Sequence, residues 1–170
     1  MKEHIAYLEV DAECHSAEAL TEAFEKIQRE IGQNPGIYVL VLGGEGLPAA
    51  GGILGEAGER LVREGMENLR VPVLAASGTQ IPENYLGADI VIVSDDAQAE
   101  AQKLAEQIAG NAPIAVQQIK RCVNVGLRCG EDAGKEYELH AFSLCHSTQD
   151  KVIGMNALLK NESEKHFVNG

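Results

Sequence analysis

Ile37-Tyr38-Val39-Leu40-Val41-Leu42, followed at once by Gly43-Gly44-Glu45-Gly46, is the stretch on which the fold turns. An apolar run without alternation reads as a strand buried on both faces, the habit of parallel sheets covered by helices. The glycines mark its end, where the chain turns sharply or runs close to another group.

Working outward, the neighbouring segments repeat the theme. Ile5 to Val10 reads as a first strand. Ser16 stands as the N-cap of a helix, with Glu18 and Glu22 near its positive end. Leu20, Phe24, Ile27 and Ile31 fall at helical spacing, and Gly32 to Gly36 stops the helix. Beyond the glycines, a second helix is expected over 53–69, a third strand over 71–76 and a fourth over 88–94. Strands alternating with helices imply right-handed parallel crossovers. After Ser94 the texture changes to helix alone, over 97–109, 113–127, 131–145 and 148–159. The expected organisation is an α/β core over 1–94 and a helical region over 95–170, together one continuous structural unit.

Composition narrows the function. A chain of 170 residues is long enough to bury a core, and with 4% aromatics that core is aliphatic. A net charge of −12 argues against nucleic acid and against anionic membranes. No apolar run reaches spanning length and the first residues carry no signal pattern, so a cytoplasmic protein is expected. Cys14, Cys122, Cys129 and Cys145 have irregular spacing, which favours free thiols over a metal site; no metal is expected.

The helical region carries a resemblance. Asn111-Ala112-Pro113-Ile114-Ala115-Val116 with Lys120 looks like the "NAP.AV...K" helix of the crotonase (enoyl-CoA hydratase/isomerase) superfamily. Glu138 to Phe142, Ser147 to Asp150 and Gly154 to Leu159 resemble that family's ending, and Phe167 with Gly170 its closing "F.G". In the first half, the run from Ile37 to Gly46 is similar to "VRVVVLTGAG", Ala50-Gly51-Gly52 to the "AGGDL" turn, Leu69 to Ala76 to "KPVIAAING", and Ala88 to Ser94 to "CDIRIAS". The C-terminal elements come in the family's order at nearly its spacing, and the resemblance covers nearly all the chain.

The resemblance implies an α/β protein with a crotonase-like (ClpP/crotonase) ββα-type spiral core, truncated, and a C-terminal helical region used for oligomerisation as a homotrimer or hexamer. It implies an acyl-CoA ligand, with coenzyme A part of the ligand and no separate cofactor. In such a site two backbone N–H groups stabilise the enolate oxygen of a thioester, one donor contributing roughly 3–4 kcal/mol. By resemblance Gly52 supplies the first N–H, Ala50 and Gly51 lie against the CoA, and Lys160 or Lys165 reaches a CoA phosphate. An enoyl-CoA hydratase or isomerase is then one reading. The other is a non-catalytic assembly or regulatory protein.

Three departures matter. Ile53 replaces the family's aspartate after the glycine turn. Ser77 to Tyr85 replaces the glycine run that carries the second donor, and its Pro82 has no N–H. The segment carrying the family's acid/base residue has no counterpart between Ser94 and Asn111; Glu56 and Glu83 are the candidate substitutes. His140, Cys145 and His146 lack a zinc-binding spacing and read as structural. Gly44-Glu45-Gly46-Leu47-Pro48-Ala49 also fits a dinucleotide-binding fingerprint, but no acid closes the following strand.

Overall fold

The computed structural model describes residues 4–83, 85–162 and 165–168. Four strands, β1 (Ile5–Glu9), β2 (Val39–Gly43), β3 (Val73–Ser77) and β4 (Ile90–Val93), form one parallel sheet in the order β1-β2-β3-β4. Each strand adds beside its predecessor, the way a spiral core grows. The chain divides into two compact units, residues 1–106 and 107–170.

In the first unit, α1 (Ala17–Gln33) and α2 (Leu47–Glu67) cross between successive strands. The Ser16 side chain accepts from the Ala19 N–H and caps α1. Leu20, Phe24, Ile27 and Ile31 from α1 meet Leu54, Val62 and Met66 from α2 over Leu40, Leu42, Val73 and Ala75 of the sheet. Each such side chain contributes roughly 1.5–3 kcal/mol when fully buried. Val39, Val41 and Leu74 alternate with them and are also buried. Burial on both sides is why the run from Ile37 shows no polar alternation. The Tyr7 hydroxyl of β1 donates to Gln102 of α3 (Ala97–Ala109), whose Ala101 and Ala105 are fully buried.

The expected start of the second helix is corrected. Helix α2 begins at Leu47, with Pro48 in its first turn, where a missing N–H costs nothing. It kinks at Gly55, whose φ of 69° and ψ of 172° only glycine adopts readily. The expected boundary at Ile53 thus lies near an internal break, and Ala50-Gly51-Gly52 lies inside the helix instead of before it.

In the second unit, α4 (Pro113–Cys129) and α5 (Glu131–His146) join through Gly130 alone, and α6 (Gln149–Lys160) follows. Gly126 and Gly134 let α4 and α5 approach closely: a Cβ on Gly134 would lie 2.9 Å from the Gly126 Cα. Thr148 caps α6 by accepting from the Lys151 N–H. Asp150, 2% exposed, accepts the Val168 N–H at 2.6 Å. Gly170, matched above to the family's closing pattern, lies outside the described residues.

Candidate functional site

The carboxyl ends of all four strands open into one cleft of the first unit, of about 700 Å³. Glu9 reaches it from β1, Gly44 and Glu45 from the end of β2, Ser77 with Gly78 and Thr79 from the end of β3, and Ser94 from the end of β4. Pro48 and Ala49, in the first turn of α2, form one wall, and Asp95 and Asp96 lead into α3 at another. Ligands of open parallel sheets settle at this end of the strands.

The glycines after β2 answer to packing. Gly46 donates its N–H to the Val10 carbonyl at 2.8 Å, and Val10 donates to Gly43 at 2.8 Å. A Cβ on Gly46 would lie 2.0 Å from the Asp11 carbonyl oxygen, and one on Gly44 would lie 2.4 Å from that of Val10. The β1–α1 connection therefore lies directly on this turn. That accounts for the glycine spacing without a dinucleotide.

The first turn of α2 contains the least expected contact. The Tyr85 hydroxyl accepts the Gly51 N–H at 2.7 Å and donates towards the carbonyls of Leu47 at 3.0 Å and Pro48 at 3.1 Å. Burial pushes this hydroxyl's pKa above its ordinary value, the Gly51 N–H draws it back, and Glu59 adds to the rise. Tyr85 was passed over in the sequence. The available signal was a tyrosine within a polar Pro/Gly loop of an aromatic-poor chain, since a buried tyrosine needs a partner for its O–H.

The expected site residues separate. Ala50 is fully buried and Gly51 is buried with its amide engaged by Tyr85. Gly52 is exposed on α2, with open space where its Cβ would be. None of the three lines the cleft. Glu56 is exposed and faces a different concavity, formed with Glu59, Arg60 and Arg63. Glu83 is exposed in the loop after β3. The carboxylates that do line the cleft are Glu9, Glu45, Asp95 and Asp96, which sequence reasoning did not single out. Lys160, in an open ion pair with Glu162 at 3.9 Å, and the exposed Lys165 belong to the second unit.

Gly78, at the cleft, is exposed, and its N–H meets no hydrogen-bond partner among the described residues, while the neighbouring Thr79 N–H turns back to the Ser77 Oγ at 3.1 Å. A Cβ on Gly78 would meet nothing nearer than 4.0 Å.

All four cysteines are free thiols, Cys14 in the first unit and Cys122, Cys129 and Cys145 in the second. Cys122 and Cys145 line an α4–α5 groove with Ile119, Val123, Leu127 and Phe142. Burial pushes both thiols up, and Glu138 adds to the rise at Cys122. The His146 ring tilts over Phe142 with centroids 4.7 Å apart. Among the described residues no helix is long and apolar enough to cross a membrane, and no group of His, Cys, Asp and Glu could hold a metal ion.

This fold has close counterparts. An enoyl-CoA hydratase structure from Bacillus anthracis aligns over 98% of this chain and 96% of its own, with a TM-score of 0.73 and 19% identity. One from Geobacillus kaustophilus aligns over 100% and 95%, with a TM-score of 0.72 and 14% identity. The sheet and helices are therefore those of the crotonase fold. In sequence, the chain is 32% identical over 79 residues to a short-chain-enoyl-CoA hydratase of Clostridium acetobutylicum, 46% of this chain and 30% of that protein. It is 35% identical over 65 residues to one of Clostridioides difficile, 38% of this chain and 42% of that protein. The chain spans less than half the length of these curated relatives. No family model matches it. The chain thus has the crotonase fold and, over less than half of its length, resembles short-chain-enoyl-CoA hydratases in sequence.

Proposed function

We propose that the chain holds the thioester end of an acyl-CoA in the cleft at the strand ends of its first unit. The single observation that carries this is one cleft of ligand size at the strand ends, lined by the first turn of α2 and by Gly78. A helix N-terminus presents partial positive charge, and a free N–H gives it direction. Gly78 lines the cleft and Gly52 does not, so the Gly78 N–H is the one assigned to the carbonyl oxygen. The acids around the cleft repel phosphates, so the nucleotide end of CoA lies beyond it.

Carboxylates at that place suit enoyl hydration. One of Glu45, Asp95 or Asp96 takes a proton from water as the water oxygen bonds to the β-carbon. The electron pair moves onto the thioester oxygen, and as the enolate collapses the α-carbon takes the proton back from that carboxylic acid, which returns to its carboxylate. Titration calorimetry with acetyl-CoA and crotonyl-CoA tests binding, and loss of enoyl absorbance tests turnover. Binding of neither thioester at millimolar concentration sinks the proposal.

The second unit serves assembly in this reading. Ile119, Leu127, Leu139, Phe142, Leu158 and Leu159 are each more than 60% exposed. Apolar exposure on this scale marks an interaction surface. We assign it to other copies of the chain, in a trimer or hexamer, to be tested by light scattering; a monomeric mass refutes it.

A further inference from the structure

Tyr85 ties together two parts of the cleft. Gly51 and Leu47 are four residues apart on one face of α2, and the Tyr85 hydroxyl meets both, accepting from the Gly51 N–H and donating to the Leu47 carbonyl. That same helical turn carries Pro48 and Ala49 to the cleft. Tyr85 itself ends the segment that begins at β3 and carries Ser77, Gly78 and Thr79 to the cleft.

The backbone after Tyr85 shows how firmly the ring is placed. Leu86 has φ 51° and ψ 26°, a left-handed conformation unusual for leucine, and it is fully buried. Gly87 follows at φ 81°, and a Cβ there would lie 2.6 Å from the Arg63 carbonyl oxygen. Conformations of this kind persist only where the surroundings over-determine them, and they cluster at ligand sites. Here they fix the approach of Tyr85 to α2. The ring itself is 6% exposed. Phenylalanine would fill the same space, so packing alone does not call for the hydroxyl.

We propose that Tyr85 is a positioning residue: through its hydroxyl it sets the spacing between the α2 mouth and Gly78, and so the point at which a thioester carbonyl is received. This rests on the reading of the cleft as a thioester site. The ring holds the loop in the core, and the O–H fixes the helical turn that the ligand meets.

The test is Tyr85→Phe in the full chain, with two measurements. The first is the affinity for acetyl-CoA relative to free coenzyme A, which differ only at the acyl group. The variant is expected to lose about tenfold in that ratio, because small misplacements of receiving groups cost affinity for the group received, while its affinity for free coenzyme A stays within about twofold. The second is hydrogen exchange at the Gly51 amide, expected to quicken by about tenfold once its acceptor is gone. Equal loss for acetyl-CoA and coenzyme A, or an unchanged ratio, overturns the proposal and leaves the cleft reading intact. Unchanged exchange at Gly51 also overturns it. If the wild-type chain binds neither compound, the cleft reading fails, and this proposal fails with it.

Discussion

Replacing Gly46 by alanine isolates a single steric contact. Gly46 has φ −80° and ψ −13°, angles that alanine adopts without strain. The substitution therefore adds one methyl group and no conformational penalty. That methyl would lie 2.0 Å from the Asp11 carbonyl oxygen and 2.6 Å from its carbon. Ordinary contact lies near 3.4 Å or beyond, so the β1–α1 connection must retreat by more than an ångström. Overpacking against backbone costs about 2–3 kcal/mol. Retreat also stretches the Gly46 N–H bond to Val10, worth about 1 kcal/mol net. The total of roughly 3–4 kcal/mol lowers the melting temperature by on the order of 10 °C. Gly52→Ala is the internal control. It meets nothing within 4 Å and is exposed in a helix, so it should stabilise by about 0.5–1 kcal/mol. Circular-dichroism melts of both variants decide the matter. If Gly46→Ala melts within about 2 °C of wild type, the close approach of Asp11 is wrong and the glycine turn must be explained by something it binds.

The remaining predictions concern charge, titration and assembly. Because Glu9, Glu45, Asp95 and Asp96 surround the cleft, a phosphate about 10 Å from each carboxylate is repelled by about 0.4 kcal/mol per charge in water. Raising salt from 0.1 to 1 M, which shrinks the Debye length from about 10 to about 3 Å, should tighten acyl-CoA binding by roughly tenfold; calorimetry at the two salts showing weaker binding would place the phosphates against cations. The raised pKa of Tyr85 means that its folded form holds the proton more tightly than the unfolded chain. The stabilisation is complete below the unfolded value of about 10 and is lost as pH rises through the folded one. The stability difference between wild type and Tyr85→Phe in urea should therefore shrink as the pH rises above about 10, and a difference that grows would reverse the assignment. Leu127→Asp together with Leu158→Asp should break the assembled form into monomers without lowering the helical signal, as read by light scattering and circular dichroism.

Much of the architecture was legible because the signals were periodic. Leu20, Phe24, Ile27 and Ile31 were read from spacing alone, and all four are buried on α1. The helices from Ala97 onward end within two residues of their expected bounds, since Pro113, Gly130 and Thr148 punctuate them. The start of α2 was misread for a physical reason. Glycines suggested a turn at 50–52, but the turn lies at 43–46, where the Val10–Asp11 backbone makes its close approach. A long-range contact of that kind leaves no local pattern. The candidate site was less legible for the same cause. Gly52, Glu56 and Glu83 were chosen by position along the chain, whereas the cleft is assembled from the ends of four strands. Tyr85 reaches α2 across 34 residues; its setting in the loop announces a buried hydroxyl but not which helix receives it.

The departures from the family's pattern have one geometric consequence in common. Where β4 ends at Val93, the chain passes through Ser94, Asp95 and Asp96 directly into α3. Acids at a helix N-terminus are stabilised by its positive end, and Ser94 Oγ donates to Glu100 at 3.0 Å within that turn. The direct connection thus brings two carboxylates to the cleft and holds them there by ordinary helix-start chemistry. Glu45, at the mouth of α2, repeats the arrangement on another wall. Asp95, Asp96 and Glu45 thus line one cleft with Gly78, and the direct connection from β4 to α3 is what brings the first two there.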